Sequence, residues 1–330
     1  MVLSIVALIV TVVMIAAKRA TPATGRIVLG KIIVSGASGQ FGHAAASLLL
    51  DKGAEVIALS RSPEKLADLA ARGAEVRFAD FDDPASLEQA MAGGEKLLLI
   101  STLRVGTRVT QHGNAINAAK ANGVRHIVYT SVIGGGLATH PGVEQKDHYD
   151  TEQLIIASGI PYTFLRNSLY ADAVATAMAI PALAAGTKPD NAGHGTVAMV
   201  AREDCVAIAV GVLTQDGHEN RAYDVTGPEL LSIPQAVAMI AEMAGKPIEL
   251  VQVDDEGMYQ YFDSLGVPRK ASDIVPDGPI PWASEGMVTF GQSIREGLFA
   301  VQSDDVERIT GRKPRPLSAM LEQYRGAWPV

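Results

Sequence analysis

The sequence predicts an α/β protein: a doubly wound parallel sheet with a smaller carboxyl-terminal lobe. Three observations carry this. From Lys31 onward, short β-branched or aliphatic runs alternate with helix-like stretches, the pattern of successive βαβ units. The composition is 48% apolar and only 5% aromatic, as expected where Ala, Val, Ile, Leu and Gly build strands covered by helices on both faces. A glycine-rich turn, Gly36-Ala37-Ser38-Gly39-Gln40-Phe41-Gly42, directly follows the first apolar run.

The elements follow in order. Lys31–Ser35 is a short aliphatic strand, and Phe41–Lys52 beyond the glycine turn is a helix. Glu55–Leu59 is the second strand, Pro63–Ala71 a helix opened by proline, and Glu75–Ala79 the third strand. Helix Pro84–Met91 leads to strand Lys96–Ile100, helix Val109–Asn122 to strand His126–Thr130, and helix Val143–Ser158 to strand Tyr162–Leu165. Glycine follows at Asn122-Gly123 and Ser158-Gly159, where a left-handed residue closes a helix at least cost. Beyond residue 166 the units lose regularity and gain Pro and Gly, with strands expected near Thr196–Val200, Ala222–Val225 and Ile248–Val253. The chain therefore divides into an apolar segment 1–27, a nucleotide-binding domain 28–166, and a substrate lobe 167–330 with some strands returning to the main sheet.

Composition excludes several functions. With a net charge of −8 and no basic cluster mixed with aromatics, the chain lacks the phosphate-neutralising surface that nucleic acid requires. The single cysteine, Cys205, forbids an internal disulfide and a thiolate cage, and the seven histidines show no closely spaced ligand pair. A reducing, cytoplasmic setting and no metal are expected. Met1 to Ala17 is an uncharged apolar run at the lower limit for a membrane span, followed by Lys18 and Arg19. Two readings stay open: an anchor that leaves the enzyme domain on the cytoplasmic side, with membrane contact only if residues 1–17 insert, or an over-extended start.

The glycine turn has the chemistry of a dinucleotide site. Gly36 permits the tight turn, Gly39 lets backbone N–H groups approach a pyrophosphate, and Gly42 lets helix and strand pack closely, while the helix amino terminus adds its positive dipole end. In this Rossmann-type frame, Ser38, Gln40 and Phe41 complete the turn. NAD sites place a carboxylate at the end of the second strand. Here the strand runs into Ser60-Arg61-Ser62, so Arg61 is placed for a 2′-phosphate and NADPH is favoured, with NADH still possible. Asp80 and Phe81, after the third strand, are candidates to bracket the adenine; the alternative for Phe81 is core packing.

These residues, with Leu97-Leu98-Leu99-Ile100-Ser101-Thr102, Gln111 to Lys120, Thr130-Ser131, Thr151-Glu152-Gln153, Ser158 to Asn167, Arg202-Glu203-Asp204, Tyr223 to Pro228 and Asp305 to Arg312, give the chain a family likeness. From about residue 31 to 325 it resembles the atypical, NmrA-like branch of the short-chain dehydrogenases, and is most similar there to type-two NAD(P)H:quinone oxidoreductases and triphenylmethane reductases. The resemblance implies cofactor contacts at Ser101, Thr102, Thr130 and Ser131, a histidine of the branch at His148, and Asn167 beside the nicotinamide. Classical members of the superfamily carry Tyr-x-x-x-Lys, whose lysine lowers the tyrosine pKa. This chain has Tyr149 with Gln153 in the lysine position, so Tyr149 is expected to be a poor base and alcohol oxidation is disfavoured. For His148, a proton donor or substrate contact stands against a capped or solvent-facing histidine.

The leading expectation is an NADPH-dependent reductase that passes hydride to a flat quinone-like or other electron-poor aromatic acceptor. The alternatives are a non-enzymatic NADP(H) sensor and a reductase of an aromatic ketone or ether. Tyr259, Phe262, Trp282, Met287 and Phe290 could line an acceptor cavity or form the core of the second lobe. A homodimer is compatible with all of these readings.

Overall fold

Ile32, Ile33 and Val34 form the first strand, β1, and all three are fully buried, because helices cover both faces of the sheet that it centres. In the computed structural model, which describes residues 30–106, 108–270 and 283–329, β1 pairs with β2 (Val56–Ser60) on one side and with β4 (Lys96–Leu99) on the other. Outward from β2 comes β3 (Glu75–Phe78), and beyond β4 come β5 (His126–Val132) and β6 (Tyr162–Asn167). Beyond β6 lies β7 (Arg221–Val225); every pairing in this sheet is parallel, and the order is β3-β2-β1-β4-β5-β6-β7. The order reverses between β1 and β4, and at that switch point the carboxyl ends of the strands open a crevice.

Two core layers sandwich the sheet. On one face Phe41, Ala45 and Leu49 of α1 (Gln40–Asp51) pack with a helix at Arg202–Thr214 over Ile32, Val34 and Ala58. On the other, Leu87 of the helix Pro84–Ala90, Ala115 and Ile116 of the helix Arg108–Ala121, and Ile155 of the helix Val143–Ser158 cover Ile33, Ile57 and Leu99. Cys205 lies fully buried in the first layer, and burial pushes its thiol far above the usual range, so it behaves as a small hydrophobe.

The carboxyl half adds a separate core of helices around Phe299, Phe290 and Trp328, together with two small sheets. It also returns β7 to the main sheet beside β6, so the sequence division near residue 166 does not divide the sheet. Several expected elements changed. Thr196–Val200 is a strand only at Thr196–Val197, and Ile248–Val253 only at Glu249–Gln252, which pairs with a strand at Thr187–Asp190 that the sequence reading lacked. Thr187-Lys188-Pro189-Asp190 has no apolar run, and its strand form depends on that long-range pairing. Within Pro63–Ala71, a 3₁₀ turn at Pro63–Leu66 precedes a short helix at Ala67–Ala71. Residues 1–27 and Trp282 lie outside the described residues. Among those described, no helix is long and apolar enough to cross a membrane.

Candidate active site

The glycine turn is shaped by contacts that only glycine tolerates. Gly36 has φ +58°, and its carbonyl accepts the Gly39 N–H at 2.9 Å. A Cβ at Gly42 would stand 2.4 Å from the Gly36 oxygen and 2.9 Å from the Ala37 Cα, so α1 can approach β1 this closely only without one. Gly36, Ser38, Gly39 and Gln40 are exposed, giving an open cradle at the amino end of α1. Ser38 is held from below, since Ser60 Oγ donates to Ser38 Oγ at 2.8 Å. Phe41 differs from its neighbours: its ring, 8% exposed, belongs to the core.

Arg61 emerges one residue beyond β2, exposed and without an ion-pair partner among the described residues. At the end of β3 the Asp80 carboxylate accepts the Asp82 N–H at 3.0 Å, and half-buried Phe81 leans on the core with its edge to His112. Both sit at the rim of the crevice. At and just beyond the carboxyl ends of β4 and β6, the buried oxygens Thr102 Oγ1, Asn167 Oδ1 and Ser168 Oγ find no hydrogen-bond partner among the described residues. Each orphan costs about 1–3 kcal/mol unless a ligand or water satisfies it. A glycine cradle for phosphates, a free guanidinium and unsatisfied polar atoms at the sheet edge together fit a dinucleotide.

Thr130 and Ser131 are turned inward. Thr130 Oγ1 accepts the Ser101 N–H at 2.9 Å, and Ser131 Oγ donates to Glu152 Oε1 at 2.6 Å, while Glu152 also binds Arg166 at 2.8 Å. His148 is also enclosed. It is 2% exposed, so the solvent-facing alternative does not describe it. Arg108 donates to its Nε2 at 3.0 Å, and because a guanidinium can only donate, the ring proton must sit on Nδ1, which donates to the Tyr129 hydroxyl at 2.7 Å. His112 is ordered in the same way. The Thr102 N–H donates to His112 Nε2, leaving Nδ1–H for Thr151 Oγ1 at 2.8 Å, and Thr151 donates in turn to the Asp147 carbonyl. Burial holds both imidazoles neutral: it drives His112 down to about 3 and His148 well below the usual histidine range, with the Arg108 charge adding to both shifts. Every proton of these two rings is committed inside the protein.

Tyr149 is half-buried on the helix Val143–Ser158, and Gln153, four residues on, is exposed and offers it no charge. Phe262 and Phe290 lie in core clusters, whereas Met287 is 43% exposed. Sequence reasoning missed Arg108, Tyr129, Thr151 and Asp147. Only a tyrosine within an apolar strand hinted at a buried partner for its hydroxyl.

An NAD(P)H-binding domain family matches residues 36–216, more than half of the chain, beginning at the first glycine of the cradle. The chain belongs to this family of oxidoreductases. Among its relatives, Escherichia coli quinone oxidoreductase 2 is 36% identical over 258 residues, covering 78% of this chain and 89% of that protein. The structure of the E. coli NADPH-dependent quinone oxidoreductase complexed with NADPH matches with a TM-score of 0.78 at 32% identity, covering 88% of this chain and 99% of the other. Citrobacter triphenylmethane reductase complexed with NADP(H) matches with a TM-score of 0.76, also at 32% identity, covering 89% and 99%.

Proposed function

We propose that this family member is an NADPH-dependent reductase whose acceptors are quinones or similarly electron-poor aromatic compounds. The observation that carries the acceptor class is the state of the site's protons. The protons of His148 and His112 are spent on internal acceptors; Gln153 stands where the classical lysine would support Tyr149, and the neighbouring Lys146 is engaged by Asp150 at 2.9 Å. An acceptor whose reduced form is stabilised by delocalisation needs no strong acid, and it takes its proton from water or a weak donor. The relatives named for quinones and triphenylmethane support the same class. In this reading the Gly36–Gly42 backbone would hold the pyrophosphate, Arg61 a 2′-phosphate, and Thr102 and Asn167 the nicotinamide end. Bound there, NADPH supplies the hydride, and the protein supplies orientation and exclusion of water.

Removing the Tyr149 hydroxyl tests this reading. Tyr149→Phe should lower kcat with a small quinone by less than about tenfold, whereas an essential proton-transfer residue costs about 10²–10⁴-fold. A collapse of kcat with NADPH affinity intact would return the acid role to the tyrosine and point to ketone substrates. The cofactor reading has its own test. Arg61→Ala should weaken NADPH by about tenfold to a hundredfold and leave NADH binding unchanged, the range for a charge-assisted contact. Equal affinities of the parent for the two cofactors, measured by fluorescence titration, would refute the role of Arg61.

A further inference from the structure

We infer that Arg108 and Asp147 form a buried clasp that sets the loop of residues 101–106, and through it the acceptor, against the reacting centre. This rests on the reductase reading above. Arg108 opens its helix with a side chain only 2% exposed, a costly place for a guanidinium unless its charge is matched. Two carboxylates match it, Asp147 at 3.3 Å and Glu144 at 3.5 Å, and the neutral His148 Nε2 accepts a further hydrogen bond at 3.0 Å. Asp147 also reaches the loop, since its Oδ2 accepts the Gly106 N–H at 2.5 Å. The same carboxylate therefore ties Arg108 to the end of the loop.

The beginning of the loop is pinned separately, by the Ser101 N–H on Thr130 Oγ1 and the Thr102 N–H on His112 Nε2. Between the pins, the Val105 N–H turns back to the Leu103 carbonyl at 3.0 Å. That turn leaves Leu103 75% exposed and brings Val105 Cγ1 within 3.4 Å of where a Cβ on Gly286 would lie, beside the exposed Met287. The six residues thus run from the orphaned Thr102 hydroxyl at the sheet edge to an apolar rim shared with the helix Ser284–Arg295. A flat apolar acceptor would meet Leu103, Val105 and Met287 at that rim, so the distance between acceptor and hydride donor depends on how firmly the loop is held. Misplacement of reacting atoms by about 1 Å can cost about 10²-fold in rate. Arg108 is accordingly a positioning residue, acting through Asp147 and the loop.

The test compares Arg108→Met, Arg108→Lys and Asp147→Asn with the parent in two readouts. Amide hydrogen exchange needs no substrate. Exchange of residues 103–106 should rise at least about tenfold in Arg108→Met and Asp147→Asn, while the β5 amides stay protected. In steady-state kinetics, Arg108→Met should lower kcat at least about tenfold and raise the acceptor KM, with the NADPH Kd within about threefold of the parent, and Arg108→Lys should recover much of the loss by keeping the charge. Unchanged loop exchange in both charge-removing variants overturns the clasp, as does a loss of turnover that only tracks lost NADPH affinity. Should Arg108→Met not fold, Asp147→Asn, which keeps an acceptor for Gly106 but no charge, gives both readouts. A parent that turns over no acceptor refutes the reductase reading alone, because loop exchange still decides the clasp.

Discussion

Gly39→Val should abolish measurable NADPH binding while the protein stays folded. Gly39 caps α1 with φ −85° and ψ 162°, an extended conformation open to any residue, and its added Cβ would meet only the Gly36 carbonyl, at 3.3 Å. The new side chain is therefore accommodated by the backbone but fills the exposed cradle where phosphates would contact N–H groups. A loss of at least about a hundredfold in affinity, about 2.7 kcal/mol, is expected with the melting temperature nearly unchanged. Gly42→Val should behave differently. Its Cβ collides with the Gly36 carbonyl and the Ala37 Cα, so it should lower stability as well as binding. Calorimetric melting beside cofactor titration separates the two, and tight NADPH binding by Gly39→Val would remove the cradle from the cofactor site.

Stability should fall steeply as pH drops below about 6.5. His112, His126 and His148 are all buried, and burial is the largest cause of each depressed pKa: about 3 for His112, about 4 for His126, and well below the usual value for His148. Unfolded, all three titrate near 6.5, so between about pH 6 and pH 4 the unfolded chain binds protons that the folded protein refuses. Each depressed histidine therefore withdraws stability as pH falls, by up to about 1.4 kcal/mol per pH unit. Asp147 and Asp224, raised mainly by burial, act in the opposite direction, but only within the carboxylate range. Urea denaturation at pH 7 and pH 5 measures the slope. His126→Asn should reduce it by about one histidine's share, and a flat profile over this interval would contradict the buried neutral rings.

The central sheet was legible because its signals are local. Runs such as Ile32-Ile33-Val34 and Leu97-Leu98-Leu99 carry their strand assignment within a few residues, and the glycine turn carries its own geometry. The position of Arg61, one residue past β2, could be read because it depends only on where that strand ends. What escaped depended on distance along the chain. The strand at Thr187–Asp190 exists through pairing with residues more than 60 positions on, and its own sequence, with Pro189, argues against it. His148 was visible as a titratable group near the site, but its protonation is decided by Arg108, 40 residues earlier, and Tyr129, 19 residues earlier. No spacing rule links those three. The partnerless oxygens of Thr102 and Asn167 likewise become meaningful only once β4 and β6 end at the same edge.

The most direct measurement is NADPH oxidation by the purified protein across an acceptor series: benzoquinones, naphthoquinones, a cationic triphenylmethane dye and a simple aromatic ketone. Saturable turnover of the quinones or the dye is predicted, with the ketone slower by at least about a hundredfold because His112 and His148 hold their protons internally and Gln153 replaces the lysine that would support Tyr149 as an acid. A protein that turns over the ketone fastest, or that binds NADPH yet oxidises it with none of these acceptors, would contradict the account.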